Sequence, residues 1–266
     1  MRRSLVIIKL GGSVITDKGR GKRVFRKDQV KRLAKEIFEA RKKKDCDLII
    51  AHGAGSFGHP LAVKYKLHQG YLGPESFKGF VLTKKAMYDL SLLVWREFSR
   101  AGLLACVVEP ASHMVVSDGK IQKFDGRFIK LLVKRNIIPI LFGDVVFDQK
   151  QGIAIVSADQ IVSKLARMLG ASKVIFVSDV EGVFDKNPKV YKDAKLIREI
   201  NSKNYEEVLS KMHVHNKNDV TGEMKGKLMA IKNELEDMEV RIISGFIENN
   251  LRMLLLGGSS GTRILL

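Results

Sequence analysis

From Ala51 to Pro60 the chain reads Ala-His-Gly-Ala-Gly-Ser-Phe-Gly-His-Pro. Its glycines let a backbone bend sharply and come close to a ligand, with no Cβ in the way. Amide groups where a glycine loop opens a helix form an anion cradle, which the helix dipole favours. The stretch reads as a phosphate or oxyanion site, with Gly53, Ala54 and Gly55 against the ligand and His59 on the lip. Pro60 suits the first helical position, because its missing N–H needs no partner there. The alternative is a tight strand-to-helix turn that holds nothing.

Other polar groups interrupt apolar runs elsewhere. Lys9 stands near the end of Leu5–Leu10, and Gly11-Gly12-Ser13 follows it. Thr16-Asp17-Lys18-Gly19 brings a second lysine, and Asp159, Asp179 and Lys227 stand beside later strands and glycines. Several cations and glycine loops, with no nucleophile–base pair, suit phosphoryl transfer. There the protein mainly positions reactants and neutralises charge on the transferring oxygens. A Walker loop is absent, since Gly222–Leu228 is mis-spaced and lacks the hydroxyl. The His-Arg-Asp and Asp-Phe-Gly pair of protein kinases is absent as well. Gly53–Gly58 also fits the alternating-glycine dinucleotide fingerprint, but the acidic residue wanted at the end of the next strand is missing.

These groups need elements to hold them. Continuous apolar runs predict buried strands at Leu5–Leu10, Leu48–Ala51, Leu103–Val108, Ile137–Phe142 and Val174–Val177, with last strands at Val240–Ser244 and Arg263–Leu266. Val145–Phe147 and Ile153–Val156 suggest a hairpin. Helical spacing covers Arg26–Lys44, a stretch from about Pro60, Ser76–Arg100, Arg127–Arg135, Ile161–Leu169 and Leu228–Met238. Ser157 or Asp159 is placed to cap the helix at Ile161–Leu169. Phe77, Phe80, Val81, Tyr88, Leu92, Trp95 and Phe98 give Ser76–Arg100 an apolar face suited to core or to a subunit interface. The alternation of strands and helices predicts an α/β fold, its mostly parallel sheet covered on both faces. Ligands then lie outside the carboxyl ends of the strands, where Lys9 is aimed.

A chain of 266 residues can bury one large α/β core or two modest ones. No apolar run is long enough to span a bilayer, and Lys9 interrupts the N-terminal run before any cleavage site. Cys46 and Cys106 suggest neither a disulfide framework nor a metal knuckle. The expectation is a cytoplasmic protein with no membrane partner and no dedicated metal site. A net charge of +18 raises nucleic acid as a partner, but the basic residues are dispersed and aromatic-rich RNA-binding signatures are missing. An anionic small molecule fits better.

Lys9-Leu10-Gly11-Gly12-Ser13, His52–Gly58, Ser178-Asp179-Val180-Glu181-Gly182, and Asp219-Val220-Thr221-Gly222 with Lys227 stand in the order of the amino acid kinase superfamily. The chain resembles that superfamily over nearly its whole length. Within it, Gly12–Lys18 and Gly55–His59 look like the archaeal-type isopentenyl phosphate kinases. The resemblance implies a three-layer αβα sandwich with an open, mostly parallel sheet. It implies one domain over residues 1–266, with an acceptor-binding half at 1–170 and an ATP-binding half at 171–266. It further implies a homodimer, ATP with Mg²⁺ carried on its phosphates, and isopentenyl phosphate as acceptor. Lys9 and Lys227 would neutralise the moving phosphoryl group, Asp159 would hold both lysines, and Lys18 would add a cation. Gly11, Gly12, Ser13 and Gly55 would approach the phosphates, and Ser178, Asp179 and Gly182 would shape the nucleoside site. His59 suits a phosphate acceptor, which gains a charge-assisted bond from it. Phe80, Val145 and Ile155 are candidates for a pocket around an apolar tail. Lysines at such a site are expected to be exposed and to add little to stability.

Two positions depart from the family pattern. Ala54 and Glu223 stand where glycines are common, which leaves both Lys225 and Lys227 open as the phosphate contact. A fosfomycin-type phosphonate kinase is the alternative within the superfamily. A dinucleotide-binding oxidoreductase and a nucleic-acid-binding module are the alternatives outside it.

Overall fold

A computed structural model describes residues 3–17, 19, 23–215 and 223–266, of which 212–215 and 223 are described by backbone alone. In chain order the strands are β1 (Leu5–Leu10), β2 (Thr16–Asp17), β3 (Val24–Phe25), β4 (Asp47–His52), β5 (Ala105–Val107), β6 (Met114–Ser117), β7 (Lys120–Phe124), β8 (Ile138–Phe142), β9 (Asp144–Asp148), β10 (Gly152–Val156), β11 (Lys173–Ser178), β12 (Val183–Phe184), β13 (Leu196–Ile197), β14 (Glu199–Asn201), β15 (Glu239–Ser244) and β16 (Thr262–Leu265). The helices are α1 (Gly12–Ile15), α2 (Lys27–Lys43), α3 (Gly55–Lys64), α4 (Pro74–Arg100), α5 (Arg127–Lys134), α6 (Ala158–Leu169), α7 (Tyr205–His215), α8 (Glu223–Glu234) and α9 (Asn250–Leu255).

Eight strands form the central sheet in the order β14-β16-β15-β11-β1-β4-β8-β5. It is parallel from β15 to β5, and β16 runs antiparallel to β15. Alternation along the strands separates two cores. Ile7, Ile49, Leu141, Val174 and Phe176 face one side with α5, α6 and α8. Val6, Ile8, Leu10, Ile50 and Ile175 face the other with α2, α4 and α9. Side chains on one strand point alternately to opposite faces, so a sheet buried on both needs apolar residues at nearly every position. The result is the three-layer αβα sandwich. Among the described residues no helix is long and apolar enough to cross a membrane.

Several local expectations change. The helix after the glycine loop begins at Gly55, and Pro60 lies inside it. Gly55 takes φ +49°, completing the turn from strand to helix, so the helix starts well before the proline. Pro60 costs α3 one internal bond, because its nitrogen carries no hydrogen. On α4 the small side chains Gly79, Ala86 and Ser91 face inward with Met87, Leu90 and Phe98. Phe77, Val81, Tyr88, Leu92 and Trp95 are partly exposed instead, while Phe98 is core and Phe80 packs on a smaller buried cluster, so the expected face divides between core and surface. Sequence reading passed over the hairpin β6–β7, whose outer strand is largely polar. Its signal was Asp118-Gly119, a two-residue loop with φ of +56° and +69°.

Candidate active site

Glycines follow the carboxyl ends of β1, β4 and β8 as Gly11, Gly53 and Gly143. β1 lies between β4 and β11, where the chain turns from building one side of the sheet to building the other. Open α/β sheets bind ligands at such a switch point. The two glycine loops interlock there. A Cβ on Gly12 would lie 2.5 Å from the Gly55 nitrogen, and one on Gly53 would lie 2.9 Å from the Gly12 nitrogen. Thr16 Oγ1 stitches them, donating to the Gly12 carbonyl at 2.7 Å and accepting from the Ser56 amide at 2.9 Å. The amides of Gly12 and Ser13 open α1, where a helix has no internal acceptor for them.

A cavity of about 480 Å³ opens at this end of the sheet. At its polar end Lys9 Nζ lies 2.9 Å from Asp159 Oδ1, and Lys227 Nζ donates to Asp159 Oδ2 at 2.7 Å. Register explains the meeting: Lys9 is in line with Ile7, on the face of β1 that carries α6 and α8. Ser157 caps α6 in a reciprocal capping box with Gln160, which frees the Asp159 carboxylate for the lysines. Burial alone would raise the Asp159 pKa, but the two ammonium groups outweigh it and hold the carboxyl far below the usual range. Contrary to expectation, the lysines are not exposed; their side chains are only 11% and 7% accessible. Two cations on one anion leave net positive charge facing the cavity, with Lys227 also 4.7 Å from the centre of the Phe176 ring.

Beneath the Gly53–Gly55 loop sits His52, fully buried. Ser91 Oγ donates to the Met87 carbonyl at 2.8 Å and lies 2.9 Å from His52 Nε2. Burial drives the imidazole pKa down to about 4, so His52 is neutral at ordinary pH. Its Nδ1 lies 3.1 Å from the Gly53 carbonyl, so the ring reaches from Ser91 on α4 to the glycine loop, its single proton serving one of the two contacts.

Of the residues expected at the site, Lys9, Gly11, Gly12, Ser13, Gly53, Ala54, His59, Val145, Ile155, Asp159, Ser178, Asp179 and Lys227 line the cavity. Lys227, not Lys225, is on its wall. Gly55 lies behind the wall, packed on Thr16 and Gly12. Gly182 is packed under Thr262 and Leu196. Phe80 stacks on Phe147 and packs with Leu67 and Ile153 just outside the lining. Lys18 and residues 216–222 lie outside the described residues, as does the side chain of Glu223. Ser178 Oγ donates to Asp179 Oδ1 at 3.4 Å, and Asp179 also pairs with Lys189 at 2.5 Å.

Sequence reading missed Thr83 and Met87 on α4, and Gly143 and Asp144 at the start of β9, all on the cavity wall. Asp144 alone carried a signal, as an acidic residue directly after an apolar strand and a glycine.

The amino acid kinase family model matches residues 4–244. The chain is 35% identical to the isopentenyl phosphate kinase of Methanocaldococcus jannaschii, covering 98% of both chains. It is 33% identical to that of Methanothermobacter thermautotrophicus, again with 98% of each covered. A crystal structure described as isopentenyl phosphate kinase superposes with a TM-score of 0.84 at 30% identity, covering 98% of this chain and 99% of that one.

Proposed function

The chain belongs to the amino acid kinase family, and from that premise we propose that it transfers the γ-phosphoryl group of ATP to isopentenyl phosphate, yielding isopentenyl diphosphate and ADP. The observation that carries this reading is a single cavity with a cationic end, Lys9–Asp159–Lys227, and an apolar end walled by Met87, Val145 and Ile155. A phosphomonoester with a short hydrocarbon tail matches both ends.

An oxygen of the acceptor phosphate attacks the γ-phosphorus, and the bond from that phosphorus to the β,γ-bridging oxygen breaks. The attacking oxygen is already ionised near neutrality, so no strong general base is needed. Lys9 and Lys227 neutralise charge on the transferring and leaving oxygens, held in place by Asp159. Lys18 belongs to this reading as a further cation. The glycine amides approach the phosphates closely because no Cβ intervenes, and His59 holds the acceptor phosphate. Mg²⁺ would be carried by ATP rather than by a carboxylate cluster of the protein, and would help neutralise the phosphates beside Lys9 and Lys227. The N-terminal half supplies Ala54, His59, Met87 and Val145 to the acceptor, and the C-terminal half supplies Ser178, Asp179 and Lys227 to the nucleotide.

We also read the protein as a cytoplasmic homodimer. Phe77, Val81, Tyr88, Leu92 and Trp95 fall within roughly 60° of one another around α4, at 100° per residue. They are between 36% and 63% exposed, an apolar stripe suited to a second copy of the same helix. Light scattering on the purified protein reads the mass directly.

The functional test is an ATP-consumption screen over isopentenyl phosphate, dimethylallyl phosphate, fosfomycin, glutamate, acetylglutamate, carbamate and uridylate. Turnover confined to the prenyl phosphates supports the assignment. A preference for fosfomycin or for a carboxylate overturns it.

A further inference from the structure

Outside the phosphate end, three charged side chains tie together two walls of the cavity. Lys84, next to Thr83 on α4, donates to Asp144 Oδ2 at 2.5 Å and also pairs with Glu109. Asp144 is the first residue of β9, and its side chain is wholly buried. Its other oxygen accepts the amide of Val145 at 2.9 Å. Glu109 is held in turn by the Ser112 amide at 2.8 Å. Each end of this bridge is therefore on or beside the lining: Thr83 adjoins Lys84, and Asp144 and Val145 both face the cavity. The aromatic contact beside it spans the same gap. Phe80, one turn before Lys84 on α4, stacks on Phe147 of β9 with ring centres 4.7 Å apart, and Lys84 Nζ lies 5.8 Å from the Phe80 ring centre.

We propose that Lys84 is a positioning residue for acceptor specificity: by holding Asp144 and Glu109 at once, it fixes the spacing of α4 from β9 and so the width of the cavity's apolar end. This rests on the prenyl phosphate reading above. The bridge has one ammonium for two carboxylates, so removing Lys84 leaves two like charges side by side in a buried place. They relax by protonation or by separation, and either one releases the wall. A wider apolar end holds a five-carbon tail less well and admits a longer one. Lys84 makes no contact with the phosphate end, so the nucleotide is unaffected.

The test compares wild type, Lys84→Met and Lys84→Arg on isopentenyl phosphate and on geranyl phosphate, with KM for ATP measured alongside. Lys84→Met is expected to shift the ratio of kcat/KM for the two acceptors toward the longer one by about tenfold or more. The shift should come through acceptor KM, with ATP KM unchanged, and Lys84→Arg should restore most of the wild-type ratio. Should Lys84→Met melt below the assay temperature, Asp144→Asn keeps the shape, removes the charge and should shift the ratio in the same direction. An unchanged ratio in a folded variant overturns the role of Lys84 while leaving the functional reading intact. An equal loss on both acceptors and on ATP also overturns it, as a general structural defect. If wild type phosphorylates neither acceptor, the functional reading fails and the specificity role falls with it.

Discussion

Lys227 donates to Asp159 at 2.7 Å across 68 positions of sequence, and the opposite oxygen of the same carboxylate faces Lys9 at 2.9 Å. One aspartate thus sets the distance between two buried ammonium groups. Asp159 offsets the repulsion between the lysines and leaves the group net positive, the charge that the proposed reaction would turn to a phosphoryl group.

Lys9→Met and Lys227→Met should each lower kcat by roughly a hundredfold or more, as other losses of a preorganised charge partner do. Because both lysines are buried, stability should fall too, by about 1–3 kcal/mol. Steady-state kinetics paired with thermal melting checks both numbers. Near-normal turnover in a folded variant removes that lysine from the mechanism.

His59 lies on the cavity wall in the second turn of α3, too far from the helix start for the dipole to act strongly on it. In the proposed reaction its role would rest on hydrogen bonding and charge toward the acceptor phosphate. His59→Ala should raise acceptor KM or depress kcat severely while ATP affinity hardly moves. His59→Gln should keep part of the activity through a neutral donor. Unchanged acceptor kinetics in His59→Ala would remove His59 from acceptor binding.

Gly12→Ala should be damaging despite its small size. The new methyl would meet the backbone nitrogen of Gly55 at 2.5 Å and its Cα at 2.8 Å, and neither can move without opening the loop. A stability loss of about 1–3 kcal/mol is expected, with activity falling further because both loops face the cavity. A melting temperature equal to wild type would show that the loops have room to separate.

Burial raises the Asp144 pKa to about 6, against the pull of Lys84. The folded state therefore holds a proton there that the unfolded chain releases at lower pH. That contribution to stability is complete below pH 4 and is lost as pH rises through 6, about 3 kcal/mol in all. Denaturant titrations of wild type and Asp144→Asn between pH 4 and pH 7 isolate it, since other groups cancel in the difference. The difference should change steadily across that window, with wild type losing ground at higher pH. A flat difference would mean that Asp144 titrates alike in both states.

What could be read without coordinates was local. Apolar runs marked β1, β4, β8 and β11, helical spacing marked α2, α4 and α6, and glycines after strands marked where a phosphate would lie. Lys9 and Lys227 drew attention because charge beside an apolar strand or a glycine loop is uncommon. Contacts across the fold were different. Asp159 stood by position as a possible cap and by the family resemblance as the holder of the two lysines; the Ser157–Gln160 box takes the cap and leaves the carboxylate to the lysines. The outward aromatics of α4 and the Lys84–Asp144–Glu109 bridge also had to wait for the structure. Periodicity reports which face of an element is apolar, but not which element will cover it. That choice is made by the strand order, which sets β1 between β4 and β11 and brings α6 and α8 over the face where Lys9 emerges.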